Sequence, residues 1–340
     1  MNIELPISKS IANRLLILQA IHGDELMPVS DSMPGDVRIM SEAIRLLGER
    51  REARIDLGNC GTAMRFLTAY CAQLEGQTVI LDGVERMHHR PVGQLVDALR
   101  EIGADIEYLS EEGFPPLRIK GRILDKHRIV TVNNPLSTQY ISALLLIGAN
   151  VITNSTSPYI YITQEVIKQY QLSPLSFHLL VEKDWSSAAF WYEYVALHGG
   201  EIKLPGLPKA SLQGDKVVAD IFAHLGVHTT YTAEGITLLP HRLIASSPFA
   251  YNFSSCPDLY PAVALTCERL GIALHATGVE SLPLKESDRL RAVAEHRTDA
   301  DHRMAMALLI AGYEVDDTAC ISKSYPQFME QWKSVNGSNE

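Results

Sequence analysis

The sequence is short of cysteine, of positive charge and of long apolar runs, and each shortage removes a class of protein. Its five cysteines, Cys60, Cys71, Cys256, Cys267 and Cys320, are odd in number, far apart and never in a CxxC pair. Neither a disulfide framework nor a zinc site is expected, and a reducing, cytoplasmic setting is the simplest expectation. Lysine and arginine number 30 against 40 aspartates and glutamates, a net charge of -10. A nucleic-acid or membrane-surface binder needs a basic face to displace counterions, so neither partner is expected. No stretch approaches bilayer length, and the opening MNIELPISKS lacks the apolar core of a signal peptide. The expectation is a soluble protein.

Two further absences bear on ligand chemistry. The Gly-rich turn GNCGTAMRF (58–66) has no GK[ST] and does not fit GxGxxG, so neither a P-loop nor a dinucleotide turn is present. The adjacent His88 and His89 in ERMHHRP (85–91) have no partner at metal-ligand spacing, so no metal is expected there. No low-complexity linker divides the chain. The least regular stretches are 153–157, 171–180 and 205–214.

What the chain does contain is a repeat. Its 340 residues exceed one small core and suit two domains or one large repeat-built one. LVDALREIGADIEYLSEEGFPPLRIKG (95–121) places Leu95, Leu99 and Ile102 at helical spacing, then an alternating strand, an EEG turn and a second strand. VVADIFAHLGVHTTYTAEGITLLP (217–240) repeats it, turn included. Fainter copies begin at Asp36, Ser137, Ser186 and His302, the last with GYEV in the strand position. Such self-similarity implies stacked helix-plus-sheet units of the α/β class rather than one doubly wound sheet.

Several helix starts carry candidate chemistry. In SKSIANR (8–14), Ser8 or Ser10 can cap the helix, whose free amides make an anion site with Lys9 at the mouth and Arg14 one turn further in. A capped helix with two surface cations is the competing reading. Gly58 and Gly61 flank Asn59, which lets backbone approach a ligand closely. Arg90, before Pro91, reads as an exposed anion clamp or a charged turn. The polar STQ at 137–139 is a helix start, more often a cap than a site. Asp258 in CPDL (256–259) precedes an apolar helix, where a carboxylate is ordinarily stabilising. In KESDR (285–289), Lys285 and Arg289 are four apart and share a helical face, and Asp288 can pair with either neighbour. Each has an ordinary structural explanation. Together, cation-bearing helix starts along an acidic chain suit one polyanionic ligand.

Taken in order, these residues resemble the 5-enolpyruvylshikimate-3-phosphate (EPSP) synthase family of enolpyruvyl transferases. The resemblance rests on PISKSIANR (6–14), LGNCGTAMRFLTA (57–69), ERMHHRPVGQLVDALREIGA (85–104), PPLRIKG (115–121), STQYISALLL (137–146), SPYIYIT (157–163), VEKDWSSAAFWY (181–192), LQGD (212–215), CPDLYPAVAL (256–265), KESDRL (285–290), DHRMAMAL (301–308) and SKSYPQF (322–328). It implies a two-domain inverse α/β barrel-like fold, each domain built from three helix-and-strand copies around buried helices. Residues 8–182 would form the shikimate 3-phosphate side, and 1–7 with 183–340 a discontinuous second domain carrying most phosphoenolpyruvate-side residues. It further implies transfer of the enolpyruvyl group of phosphoenolpyruvate to the 5-hydroxyl of shikimate 3-phosphate with release of phosphate, by a cytoplasmic monomer with no metal or organic cofactor.

Position by position, the resemblance implies shikimate 3-phosphate contacts from Lys9, Ser10, Arg14, Ser137, Thr138, Gln139, Thr156, Tyr159, Asp258, Ser281 and Lys285. Phosphoenolpyruvate would meet Lys9, Asn59, Gly61, Arg90, Gln139, Arg289, Arg303 and Lys323, the arginines being suited to bidentate carboxylate or phosphate contacts. Catalytic roles fall to Lys9, Asp258, Glu286 and His302, with Asp258 taking the 5-hydroxyl proton. The chain departs from the family at Thr138 and Thr156, which keep a hydroxyl, at Ser281 in place of Asn, at Pro283 in place of a basic residue, and at Phe66 in place of Pro. Phe66 bears on sensitivity to glyphosate, the family inhibitor. The chain is also several tens of residues shorter than usual, with cuts near Asn154, Gln171 and Leu207, and a skipped loop is expected across 291–300. Two alternatives stay open: the UDP-N-acetylglucosamine enolpyruvyl transferases, and an inactive relative serving as a binding module.

Overall fold

The computed structural model describes residues 1–173, 181–242 and 247–337. Its chain divides into two compact units, one of residues 9–30 and 36–181, the other of residues 1–8, 31–35 and 182–340.

The first unit contains α1 (Lys9–His22), α2 (Gly35–Glu49), β1 (Glu52–Asp56), α3 (Gly61–Ala72), β2 (Thr78–Asp82), α4 (Glu85–His88), α5 (Gly93–Glu101), β3 (Asp105–Tyr108), β4 (Leu117–Lys120), β5 (Ile129–Thr131), α6 (Gln139–Leu146), β6 (Asn150–Ile152) and α7 (Pro158–Leu172). The expected repeat is visible in α5, β3 and β4. Leu95, Val96 and Leu99 bury one face of the helix, and β3 pairs antiparallel with β4. β4 continues antiparallel onto β2, which runs parallel to β1, giving the order β1-β2-β4-β3. β5 and β6 form a separate parallel pair. The helix α3 is mostly apolar and is buried over nearly its whole length, Arg65 included, as a helix enclosed by its own unit.

The second unit contains α8 (Trp185–His198), β7 (Ile202–Pro205), α9 (Val218–His224), β8 (Val227–Tyr231), β9 (Gly235–Pro240), β10 (Phe249–Asn252), α10 (Tyr260–Arg269), β11 (Leu274–Thr277), α11 (Arg289–Glu295), α12 (His302–Ile310) and α13 (Phe328–Asn336). β7 and β8 flank β9 antiparallel, and β10 pairs parallel with β11. The chain start joins this unit: Ile3 N donates to Lys203 O at 2.9 Å, and Ile3 and Leu5 are buried in its core. α8, α10 and α12 form that core, with Trp185, Trp191 and Phe190 fully enclosed.

Two expectations need correction. GYEV, after α12, forms no strand; Tyr313 instead stacks on His296 at 4.0 Å and bonds Glu268, so side chains fix this segment where a ladder was expected. Across 291–300, where a skipped loop is expected, α11 runs to Glu295 and His296 then turns the chain at φ 52°. Lys285 precedes that helix in extended backbone, so it and Arg289 share no helical face. Of the irregular stretch 171–180, residues 174–180 lie outside the described residues.

Candidate active site

In the first unit, the start of α1 places Lys9 against Asp36 in the first turn of α2, Nζ to Oδ2 at 2.9 Å, with both side chains largely buried. Ser8 makes no side-chain cap: its hydroxyl is buried and bonds nothing among the described residues, while its amide donates to Glu182 O at 2.7 Å. Arg14 is no surface cation. Its Nε donates to Thr163 Oγ1 at 2.8 Å, its Nη2 to Ser142 Oγ and Tyr159 O at 3.1 Å, and its Nη1 to Ser10 O at 2.7 Å. Phe66 lies 5.3 Å beneath the guanidinium, and burial pulls the Arg14 pKa down to about 10. This residue thus knits α1, α6 and α7 together around Ser10 and Tyr159.

The Gly-rich turn behaves as its composition requires. Gly58 adopts φ 53°, a conformation a side chain resists, and its amide is held by Asp56 Oδ1 at 2.8 Å. Arg90 is buried, not an exposed clamp, and its Nη1 donates to Asn59 O and Oδ1 at 3.1 and 3.2 Å. It passes so close to the start of α3 that a Cβ at Gly61 would sit 2.6 Å from Arg90 Cζ. Arg65, buried below, donates to Pro91 O at 2.7 Å; burial, then the charge of Arg90, lowers its pKa to about 10. Gln139 Nε2 donates to Thr62 Oγ1 at 2.9 Å, and Ser137 Oγ accepts from Gln139 N at 3.3 Å. Thr138 lies at the α6 cap without using its side chain, and Thr156 is exposed just before α7.

The second unit assembles a denser cluster. Asp258 sits on a 3-10 turn, Pro257–Leu259, leading into α10. Its Oδ1 accepts from Lys285 Nζ at 3.2 Å and Arg289 Nη1 at 2.8 Å, and its Oδ2 from Arg303 Nη2 at 2.9 Å. Burial pushes this carboxyl up, but Arg303, Lys285 and Arg289 more than offset it and hold it well below the usual range. Arg289 is 1% exposed and also bonds Glu286 and Asp301; burial opposes its charge, yet the three acids keep it firmly protonated. Glu286 in turn accepts from Lys323 Nζ at 3.0 Å. His302 is wholly buried, with Nδ1 3.9 Å from Asp301 Oδ1. Ser281 precedes a 3-10 turn, Leu282–Leu284.

The sequence lets Asp288 pair with Lys285 or Arg289. Asp288 instead caps α11 through Arg291 N, and Asp301 does the orienting: it takes Arg289 Nε at 2.7 Å and caps α12 through Arg303 N at 2.9 Å. Sequence reasoning also passed over Asp36, Ser142 and Thr163. Ser142 and Thr163 carry no cue of their own in the sequence, and Asp36, in a first helical turn, reads only as an ordinary helix-stabilising acid.

The second unit's cluster sets two carboxylates, Asp258 and Glu286, among cations, groups able to exchange protons and to hold an anion. A family model described as EPSP synthase (3-phosphoshikimate 1-carboxyvinyltransferase) matches residues 49–173, 148–298 and 293–332. A 3-phosphoshikimate 1-carboxyvinyltransferase of Bacteroides fragilis is 37% identical over 395 aligned positions, covering 98% of this chain and 94% of the relative. One from Colwellia psychrerythraea is 30% identical, covering 98% and 96%. These alignments outrun the 340 residues here, so the relatives carry segments with no counterpart. In fold, the chain matches the solved EPSP synthase of Acinetobacter baumannii with TM-score 0.65 at 17% identity, over 98% of this chain and 95% of that one. With a family model and a relative both spanning most of its length, the chain belongs to the EPSP synthase family.

Proposed function

We propose that this chain transfers the enolpyruvyl group of phosphoenolpyruvate to the 5-hydroxyl of shikimate 3-phosphate, releasing phosphate, and that its residues divide the work as follows. Asp258 takes the hydroxyl proton as the oxygen attacks C2. Glu286 and His302 serve proton movement at the methylene carbon, which is protonated before attack and deprotonated when phosphate leaves. Lys285 and Arg303 hold substrate anions, Arg289 holds the acids in register, and Lys323 adds a cation beside Glu286. In the first unit, Arg90, Asn59 and Gly61 take phosphoenolpyruvate. Ser10, Arg14, Ser137, Thr138, Gln139, Thr156 and Tyr159 take shikimate 3-phosphate, and Lys9 serves both substrates. Ser281 is a further shikimate 3-phosphate contact. Residues 8–182 are assigned to the shikimate 3-phosphate side and the remainder to most of the phosphoenolpyruvate side, in a cytoplasmic monomer.

The observation that carries this reading is the single carboxylate, Asp258, bonded by three cations, two from KESDR and one from α12. Four cations, Lys285, Arg289, Arg303 and Lys323, share three acids, Asp258, Glu286 and Asp301, which leaves one positive charge for an incoming anion beside a proton acceptor. The alternative of a binding module lacks support, because Asp258, Glu286 and Lys285 are all present and engaged with one another's partners. The test is release of inorganic phosphate with equimolar formation of an enolpyruvyl ether, requiring both substrates. Release from phosphoenolpyruvate alone, or none above background, would sink the reading.

A further inference from the structure

Asp215, in LQGD (212–215), has no part in the roles assigned above. It lies on the 3-10 turn Gly214–Val217, which packs against α8 and α9 and leaves it 3% exposed. Its Oδ2 accepts from Ser186 Oγ at 2.5 Å, while Oδ1 is buried and bonds nothing among the described residues. The turn carrying Asp258 and the helix α12 carrying Arg303 also pack on α8. Asp215 is thus within electrostatic reach of Asp258 and Arg303, and of Asp184 at the α8 cap. Tyr251 of β10 and Cys256 face it as well; α9 contributes Asp220, which faces Tyr251, and the neighbouring Lys216 is engaged with Ser211 O at 2.8 Å.

A fully buried carboxyl with an orphaned oxygen is costly, so its retention beside a reacting group calls for a reason. Asp258 supplies one. Bound by three cations it is a poor proton acceptor, and a general base must be matched to its task. We propose that Asp215 is a positioning residue for the transfer: its carboxyl, seated by Ser186 on α8, on which the Asp258 turn and α12 also pack, sets how readily Asp258 accepts the substrate's hydroxyl proton. When Asp215 is ionised, its charge offsets the cations and raises the basicity of Asp258. When it is protonated, that help is lost. Burial, and then the charge of Asp258, push the Asp215 pKa up to about 7, which puts the change near neutral pH.

This inference rests on the enolpyruvyl-transfer reading, but its test does not need turnover. In protein labelled with 13C at the aspartate carboxyls, one resonance should titrate near neutral pH and vanish in Asp215→Asn. The Asp258 resonance, assigned by its loss in Asp258→Asn, should show a step at the same midpoint that disappears in Asp215→Asn. Removing the Ser186 hydroxyl, which favours the ionised form, should move that midpoint up by about one pH unit in Ser186→Ala. In turnover, Asp215→Asn should lower kcat/KM for phosphate release by roughly tenfold and erase an inflection near neutral pH. An Asp258 resonance that titrates identically with and without Asp215, or an inflection unmoved in both variants, overturns the proposal. Absence of phosphate release by the unmodified protein counts against the substrate reading alone.

Discussion

Asp258 is largely and Glu193 wholly withdrawn from solvent, and their surroundings send the two carboxyls in opposite directions. Asp258 meets three cations and is held ionised; Glu193, on α8, has neither oxygen hydrogen-bonded among the described residues, and burial raises its pKa well above the ordinary value. The sign for Glu193 follows from linkage: the folded state binds its proton more tightly than the unfolded one, so stability falls as pH rises above the unfolded value. Glu193→Met is therefore expected to stabilise the protein by about 1–3 kcal/mol at pH 8 and by less at pH 5, as read from urea unfolding. An unchanged difference between the two pH values would mean that Glu193 does not fold protonated. At Gly61 the constraint is steric. Gly61→Ala must displace the Arg90 guanidinium, and the expected result is a rise of roughly tenfold or more in KM for phosphoenolpyruvate with little change for shikimate 3-phosphate.

At the scale of elements, Asp301 ties the starts of α11 and α12 together. Asp301 caps α12 through Arg303 N and holds Arg289 Nε, so it fixes two of the three cations around Asp258. Asp301→Ala leaves a buried arginine short of an acid and a helix uncapped, and should cost about 3–5 kcal/mol in urea unfolding. Asp301→Asn keeps the cap and should cost less. The elements themselves were legible in the sequence wherever periodicity governed them: LVDALREIG and VVADIFAHLG became α5 and α9, each followed by an antiparallel hairpin. Periodicity failed at GYEV, where contacts from Glu268 and His296 decide the backbone, and at KESDR, where Lys285 and Arg289 meet at Asp258 from a loop and a helix rather than from one face. The cations of the candidate site were readable as residue types. Their partners Asp36, Thr163 and Asp301 were not, because each comes from an element distant in sequence or is an acid whose ordinary role is capping.

Across the whole molecule, an acidic chain that lowers the pKa of a buried acid acquires a dependence on acid conditions. The folded pKa of Asp258 lies well below its unfolded value, so its contribution is fully present above the unfolded value of about 4 and is lost as pH falls through the folded one. Unfolding midpoints should accordingly drop below about pH 4 more steeply in the unmodified protein than in Asp258→Asn. Among the described residues no helix is long and apolar enough to cross a membrane. The function proposed above turns on Asp258 as the proton acceptor of the transfer. Steady-state phosphate release by the unmodified protein and by Asp258→Asn, with both substrates saturating, addresses this most directly. A fall in kcat of about 10²–10⁴-fold, with both substrates still bound, is the result expected of a lost general base; an Asp258→Asn protein within about fivefold of the unmodified one would contradict it.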